Sequence, residues 1–399
     1  MKVKRIFGCF IVVLFCAIIV AVPILTKLEE YRVYSIFENK NLALPPVFSA
    51  EGLFNNEYLP SWDVYLGDHI YRRDDILALK TFLDLRIAKR PVLNGVVIQE
   101  DLLLPFHNYN SIPDHAEISE QAETMASDLY DLERFINDNG GAFLYLGVPQ
   151  QYSILRDSYP GNFNSNAETL ELTESAFFAS LEKYGIDYID MMSEFLETDD
   201  FEKYYCRTDH HYNLFGAFFT YQKLIAEMNA AFDANLPVMG EADIEFITIK
   251  NPYYGSHSRK LYNLYDVNEK LHYFIEKEPL PCIVANNGNT DPGTVFRLPD
   301  NENSPVTGQV YMGGEMGEVV ISTNREELPD ILLFGDSFAV RLRPFLYHSF
   351  NETRVLDLRY YTGMTLWEYI ELHRPDYVVC IRNDTVYLSF VGNGDLTPP

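Results

Sequence analysis

The chain predicts a doubly wound, three-layer α/β sheet with an inserted β-rich segment, preceded by one transmembrane helix. Three observations carry this. Uninterrupted apolar runs such as Ala142-Phe-Leu-Tyr-Leu-Gly-Val148 and Ile331-Leu-Leu-Phe334 read as strands buried on both faces. Stretches of helical periodicity alternate with them, the order that builds a parallel sheet covered by helices. A single long uncharged run stands at the N-terminus.

That run comes first. Lys2, Lys4 and Arg5 precede it, and Ile6 to Thr26 carries no charge. At about 1.5 Å per helical residue it spans about 31 Å, the thickness of a bilayer core. A secretory apolar core is normally ~7–15 residues with a small-residue cleavage site. This run is longer and has no such site, so it reads as a signal anchor, with a long cleaved signal peptide as the alternative. The basic flank keeps 1–5 cytoplasmic and places everything beyond about Lys27 outside the cytoplasm.

Residues 27–60, with Leu44-Pro-Pro-Val47 at their centre, read as a stalk or lead-in to an α/β domain over 61–399. Helical periodicity around Asp68–Ala88 ends near Arg90-Pro91. Val92-Leu-Asn-Gly-Val-Val-Ile98 is a strand–turn–strand signal. Ala116 to Asn139 repeats apolar residues at helical spacing and stops at Asn139-Gly140-Gly141. After the Ala142 strand come a helix over Glu168–Tyr184, a short strand Ile186–Ile189 and a helix over Leu214–Phe232. The Ile331 strand runs into a helix over Phe338–Phe350. Strands at Arg354–Leu358 and Tyr377–Ile381 follow, separated by a helix at Thr365–His373. Between these halves, 235–329 loses the alternation. Gly, Pro and Asn recur there among pieces such as Ile244–Ile249, and the segment reads as an insertion or a cap.

Charge excludes some partners. The 399 residues hold 58 acidic and 31 basic side chains, a net charge of −27. So acidic a surface repels phosphate backbones, which argues against nucleic acid and anionic lipid headgroups as partners. Solubility is the plain explanation of the excess. Cys206, Cys282 and Cys380 lie outside the apolar run, an odd count without C-x-x-C spacing. No disulfide framework or zinc pattern follows, and one bridge or three free thiols both remain open.

Two motifs carry chemistry. Gly335-Asp336-Ser337-Phe338 follows a buried strand and opens a helix, so Ser337 stands at the ligand-binding edge of the sheet beside a helix N-terminus. Asp and Ser there could equally be plain caps. Thr208-Asp209-His210-His211-Tyr212 precedes the Leu214 helix. If the piece is extended, Asp209 and His211 point the same way and His210 points away. Asp209 would then fix the tautomer of His211, whose other nitrogen faces a nucleophile. Cys206, Asp209, His210 and His211 could instead hold a metal, but their spacing matches no strong zinc pattern, so none is expected. A nucleophile and an ordered Asp–His pair on one sheet edge are the inventory for acyl transfer.

These segments resemble the DHHW proteins, relatives of the alginate O-acetyltransferase group in the SGNH hydrolase superfamily. The resemblance extends to Val92–Ile98, Tyr254-Gly-Ser256, Phe338 through Pro344-Phe345-Leu346, and Asp357-Leu-Arg-Tyr-Tyr361, covering roughly Trp62 to Val391. It implies an SGNH-hydrolase-like fold with Asp209, His211 and Ser337 as catalytic residues. His210, Tyr212, Asp336 and Arg359 are expected beside the site or its substrate. Tyr212 stands where the family usually has Trp. The serine follows the Asp–His pair, the order of the alginate acetyltransferase branch. The superfamily's Gly and Asn oxyanion donors have no counterpart placed by these motifs.

The resemblance implies a membrane-anchored, extracytoplasmic O-acyltransferase or esterase acting on a cell-surface or secreted polysaccharide. It needs no cofactor, and a multi-spanning membrane protein would serve as acyl donor. The alternative is a glycan-binding or assembly scaffold that kept the fold and lost turnover. A metal-dependent phosphoesterase is a third reading.

Overall fold

The computed structural model describes residues 2–106, 113–163, 167–291 and 295–398. They form two compact units: one running to Val96 and including Ser258–Asp266, the other Val97–His257 with Val267–Pro399.

The first unit begins with helix α1, Lys2–Leu28. Its stretch Gly8–Leu28 has a mean hydropathy of 3.0 and is long enough to cross a membrane. The helix expected over 68–88 is two helices, α2 Tyr58–His69 and α3 Arg73–Phe82, the latter continued by a π-helical turn at Leu83–Ile87. The break falls where Ile70 turns extended and Arg72 adopts φ 50°, a left-handed conformation that no helix continues through. Asp68, buried in α2, accepts from Lys40 Nζ at 2.8 Å and from Ala43 N at 3.0 Å, tying the lead-in to the helix.

The second unit holds an eight-stranded sheet. Its strands are β1 Ala142–Val148, β2 Tyr188–Asp190, β3 Ile283–Asn286, β4 Asn289–Asp291, β5 Glu318–Ser322, β6 Ile331–Gly335, β7 Glu352–Leu356 and β8 Tyr377–Asn383. Their spatial order is β4-β3-β5-β7-β6-β8-β1-β2. The run β7-β6-β8-β1-β2 is parallel, and β5, β3 and β4 extend it antiparallel. Part of 235–329 therefore widens the main sheet, while Ile244–Thr248 and His272–Glu276 form a separate hairpin.

Five helices complete the three layers: α4 His115–Asp138, α5 Ala167–Tyr184, α6 Leu214–Phe232, α7 Ala339–Leu346 and α8 Leu366–His373. On one face, α4, α5 and α8 pack on alternate strand residues Phe143, Tyr145, Leu332, Phe334, Val378 and Cys380. On the other, Phe218 and Tyr221 of α6 stack on Phe345 of α7. Caps set the ends. Asp114 accepts from the N–H groups of Ala116 and Glu117 at the start of α4. Asn213 caps α6 in the same way. Helix α7 stops four residues short of the expected Phe350, the chain continuing in tight turns at His348 and Ser349. Ser349 there donates to Pro237 O, which holds the turn in place.

Parallel order puts the carboxyl ends of β6, β8 and β1 side by side. There Gly335 passes so close to β8 that a Cβ would lie 1.9 Å from Ile381 O. Only glycine permits this approach, and it fixes where the next two residues, Asp336 and Ser337, emerge.

Candidate active site

Asp209 and His211 lie on the loop before α6. It is not extended: Arg207 to His211 form a bend. Antiparallel pairing of Tyr205 with Tyr212 and a bond from Cys206 N to His211 O (3.1 Å) close its base. Glu269, partly buried, accepts from Arg207 N at 2.6 Å, Thr208 N at 2.9 Å and the Thr208 hydroxyl. Gln151 steadies the other side, its N–H donating to His210 O at 2.9 Å and its side-chain amide to Cys206 O at 2.7 Å.

Within the bend, His211 N donates to Asp209 Oδ1 at 3.2 Å, an Asx turn that brings the two side chains together without a strand. His211 Nδ1 lies 2.6 Å from Asp209 Oδ1, and its Nε2 lies 2.7 Å from Ser337 Oγ. An ionised Asp209 can only accept, so Nδ1 carries the proton and Nε2 is free to accept from the serine. Because the loop bends, His210 does not point away. Its ring centroid is 3.8 Å from that of His211, and its Nδ1 is 2.9 Å from Ser256 Oγ.

Asp209 is 6% exposed. Burial alone would push its carboxyl up, but His211, His210 and Arg341 outweigh this and hold it well below the usual carboxylate range. Arg341, on α7, has Nη2 3.8 Å from Asp209 Oδ1 and 3.2 Å from the Tyr253 hydroxyl. Ser256 N donates to Asp209 Oδ2 at 2.8 Å. That contact requires Gly255, where a Cβ would meet Thr208 O at 2.3 Å. Burial pushes the His210 imidazole well below its usual range, against the opposing pull of Asp209.

Tyr212 and Asp336 serve the scaffold around Ser337. The buried Tyr212 hydroxyl donates to Phe338 O at 2.5 Å, joining the histidine loop to the serine turn. Asp336 accepts from Phe338 N at 3.0 Å and from Asn383 N and Nδ2 at 2.7 and 2.5 Å, locking the ends of β6 and β8 together. Arg359 grips Asp357 at 2.9 and 2.6 Å and reaches Glu315 at 3.3 Å, and Asp336 is among the carboxylates whose charge acts on it. Sequence reasoning missed Ser256, Arg341, Gln151 and Glu269 as supports. Tyr254-Gly-Ser256 and the Phe338–Leu346 stretch that holds Arg341 left a signal, as matching segments without a role; Gln151 and Glu269 left none.

Asp209, His210 and His211 each present a ligand atom, all within 4.8 Å of one another. Both nitrogens of His211 and Nδ1 of His210 already face protein partners. A metal here would have to break the Ser337–His211–Asp209 chain, so the donor set fits an acid–base relay better than a metal site. Among the described residues all five cysteines are free thiols, with Cys206 and Cys380 buried.

Residues 107–259 match the family model described as an SGNH hydrolase-like domain, acetyltransferase AlgX. Among solved structures the chain is similar to PatB1 of Bacillus cereus, at 22% identity and a TM-score of 0.62. That match covers 73% of this chain and 96% of PatB1. It is also similar to a DHHW family protein from Eubacterium siraeum, at 18% identity and a TM-score of 0.56, covering 74% and 93%. No curated protein matches. The fold is thus SGNH-hydrolase-like, as residues 107–259 match that model and the two solved structures share the architecture.

Proposed function

We propose that this chain is a membrane-anchored, extracytoplasmic O-acetyltransferase that modifies a cell-surface or secreted polysaccharide through an acyl-enzyme at Ser337. One observation carries the reading: the unbroken chain Ser337 Oγ to His211 Nε2 at 2.7 Å and His211 Nδ1 to Asp209 at 2.6 Å. It supplies a nucleophile, a base and an orienting carboxylate in hydrogen-bond contact. The AlgX-type family match supports acetyl as the group transferred. The apolar α1 supports the anchor. A multi-spanning acyl donor remains part of this reading.

In the first half-reaction Ser337 Oγ attacks the acetyl carbonyl as its proton passes to His211 Nε2. Asp209 stabilises the imidazolium so formed. The carbonyl oxygen becomes an oxyanion. Among the described residues the Ser337 N–H has no acceptor, which leaves it free to donate to that oxygen at the start of α7. Collapse expels the donor's oxygen, which takes the proton from His211. A sugar hydroxyl then gives its proton to His211 and attacks the acetyl-serine carbonyl; collapse breaks the bond to Ser337 Oγ, which takes the proton back from His211, and the sugar leaves as the acetyl ester. Water in place of the sugar gives esterase activity.

The test is mass spectrometry of the purified chain incubated with p-nitrophenyl acetate. One acetyl group should appear on the peptide bearing Ser337 and be absent from Ser337→Ala. Ser337 caps no helix and its hydroxyl bonds only His211 in the relay, so the alanine should change stability by only about 1 kcal/mol. Undiminished esterase activity in folded Ser337→Ala would sink the mechanism. Glycan binding without any ester turnover in the wild type would favour the scaffold.

A further inference from the structure

The first unit carries an outward-facing apolar stripe that its own fold does not cover. On α3 and the turn after it, Ile76, Leu79, Leu83 and Ile87 follow helical spacing and are 49–72% exposed. Phe82 lies beside them, also exposed. The inward side meanwhile holds buried Thr81, bonded to Asn94 Nδ2, and Asp74, paired with Arg32 at 2.6 Å. Five large apolar side chains on the solvent side of a helix mark an interaction surface.

Three further features identify what covers it. The segment is basic in an acidic chain: residues 72–90 hold Arg72, Arg73, Lys80, Arg86, Lys89 and Arg90 against Asp74, Asp75 and Asp84. The start of α3 is tied to the end of α1, where Tyr71 N donates to Thr26 Oγ1 at 2.9 Å and Arg72 N to Glu29 at 3.2 Å. Finally, Tyr58, Trp62, Tyr65 and His69 form an aromatic ladder along α2, edge-to-face from Tyr58 to Tyr65 and tilted at His69, and His69 stacks on Tyr31 three residues beyond α1. Aromatic belts with basic side chains and an apolar stripe are the composition of a helix lying at a membrane interface.

We infer that α3 and its following turn lie in the outer boundary of the bilayer, with the Ile76–Ile87 stripe in contact with lipid acyl chains and the basic residues among anionic headgroups. This rests on the proposed anchoring by α1. It makes the first unit a collar on the membrane and reverses, for this segment alone, the repulsion that the whole chain's acidity implies.

The test is photo-crosslinking of the full chain in vesicles of equimolar phosphatidylcholine and phosphatidylglycerol. Benzoylphenylalanine would replace Leu83, Ile87, Val20 in α1 or Glu245 on the exposed surface of the second unit, one at a time. Phospholipid adducts are expected at Val20, Leu83 and Ile87 and not at Glu245. Phosphatidylglycerol should exceed its half share of the Leu83 adducts, and fall back to half in Lys80→Gln/Arg86→Gln/Lys89→Gln/Arg90→Gln. An adduct at Val20 with none at Leu83 and Ile87 overturns the collar while keeping the anchor. A missing adduct at Val20 overturns the anchor itself. Chain-to-chain products at Leu83 would assign the stripe to a second copy and equally overturn the inference.

Discussion

Asp209→Asn is the most discriminating perturbation of the proposed relay, because the surrounding donors dictate how an amide can sit. Both carboxylate oxygens accept: Oδ1 from His211 N at 3.2 Å and from His211 Nδ1 at 2.6 Å, Oδ2 from Ser256 N at 2.8 Å. An amide offers one acceptor and one donor in their place. With its oxygen towards His211, its NH₂ opposes the Ser256 N–H, leaving two buried donors face to face at about 1–3 kcal/mol. Reversed, it satisfies Ser256 but presents a donor to Nδ1. The imidazole must then carry its proton on Nε2, where it cannot take one from Ser337. In either arrangement the charge that stabilises the imidazolium is gone.

The expected loss follows from the same geometry. In a Ser-His-Asp relay with this connectivity, replacing the carboxylate by an amide lowers kcat by about 10⁴, or about 5.5 kcal/mol of barrier. The assay is p-nitrophenyl acetate turnover by purified wild type and variant at matched pH, with circular dichroism to establish folding. A folded Asp209→Asn enzyme within tenfold of wild type would refute the relay. The loss would then belong to some other base, and His210, 2.9 Å from Ser256 Oγ, would be the next to replace.

Three other outcomes follow from the structure. Tyr212→Phe leaves Phe338 O without its buried donor and should lower stability by about 1–2 kcal/mol, read as a drop in Tm, with a smaller effect on turnover than Asp209→Asn. Gly335→Ala places a Cβ 1.9 Å from Ile381 O and should force β6 from β8, giving loss of soluble protein or of several degrees in Tm; wild-type stability would contradict the packing argument. Burial pushes Asp384 up to about 7, so the unfolded chain sheds this proton first as pH rises. The resulting penalty on folding develops from about pH 4 to about pH 7 and is complete above it. Asp384→Asn should therefore gain stability relative to wild type between pH 5 and pH 8, by on the order of 2 kcal/mol in denaturant titrations, and a pH-independent difference would contradict the assignment.

The main sheet was legible because parallel strands buried on both faces write themselves as apolar runs, and Ala142–Val148 and Ile331–Phe334 are such runs. Two helix starts were legible to within a residue, expected at Ala116 and Leu214 and found at His115 and Leu214, where the side chains of Asp114 and Asn213 accept from the first helical N–H groups. The break in the helix at Arg72 was not, since nothing in Ile70-Tyr-Arg-Arg73 distinguishes a left-handed arginine from a helical one. Pairing Asp209 with His211 across one intervening residue was readable, but its geometric premise was not. Alternation along a strand and an Asx turn both bring residues i and i+2 together, and the sequence does not separate them. The difference falls on His210, which the bend stacks on His211 instead of turning it away. The supports at Glu269 and Gln151 come from segments distant from both motifs, so no local pattern could mark them; Arg341 lies four residues after Ser337, but nothing local ties it to Asp209. The Ile76–Ile87 stripe shows the opposite limit. Its periodicity announces an amphipathic helix, but periodicity says only that one face is apolar, and the structure turns that face outward. In a chain of net charge −27, an outward apolar face beside the basic side chains of 72–90 is what the inferred lipid contact accounts for, and it is no part of the protein's own core.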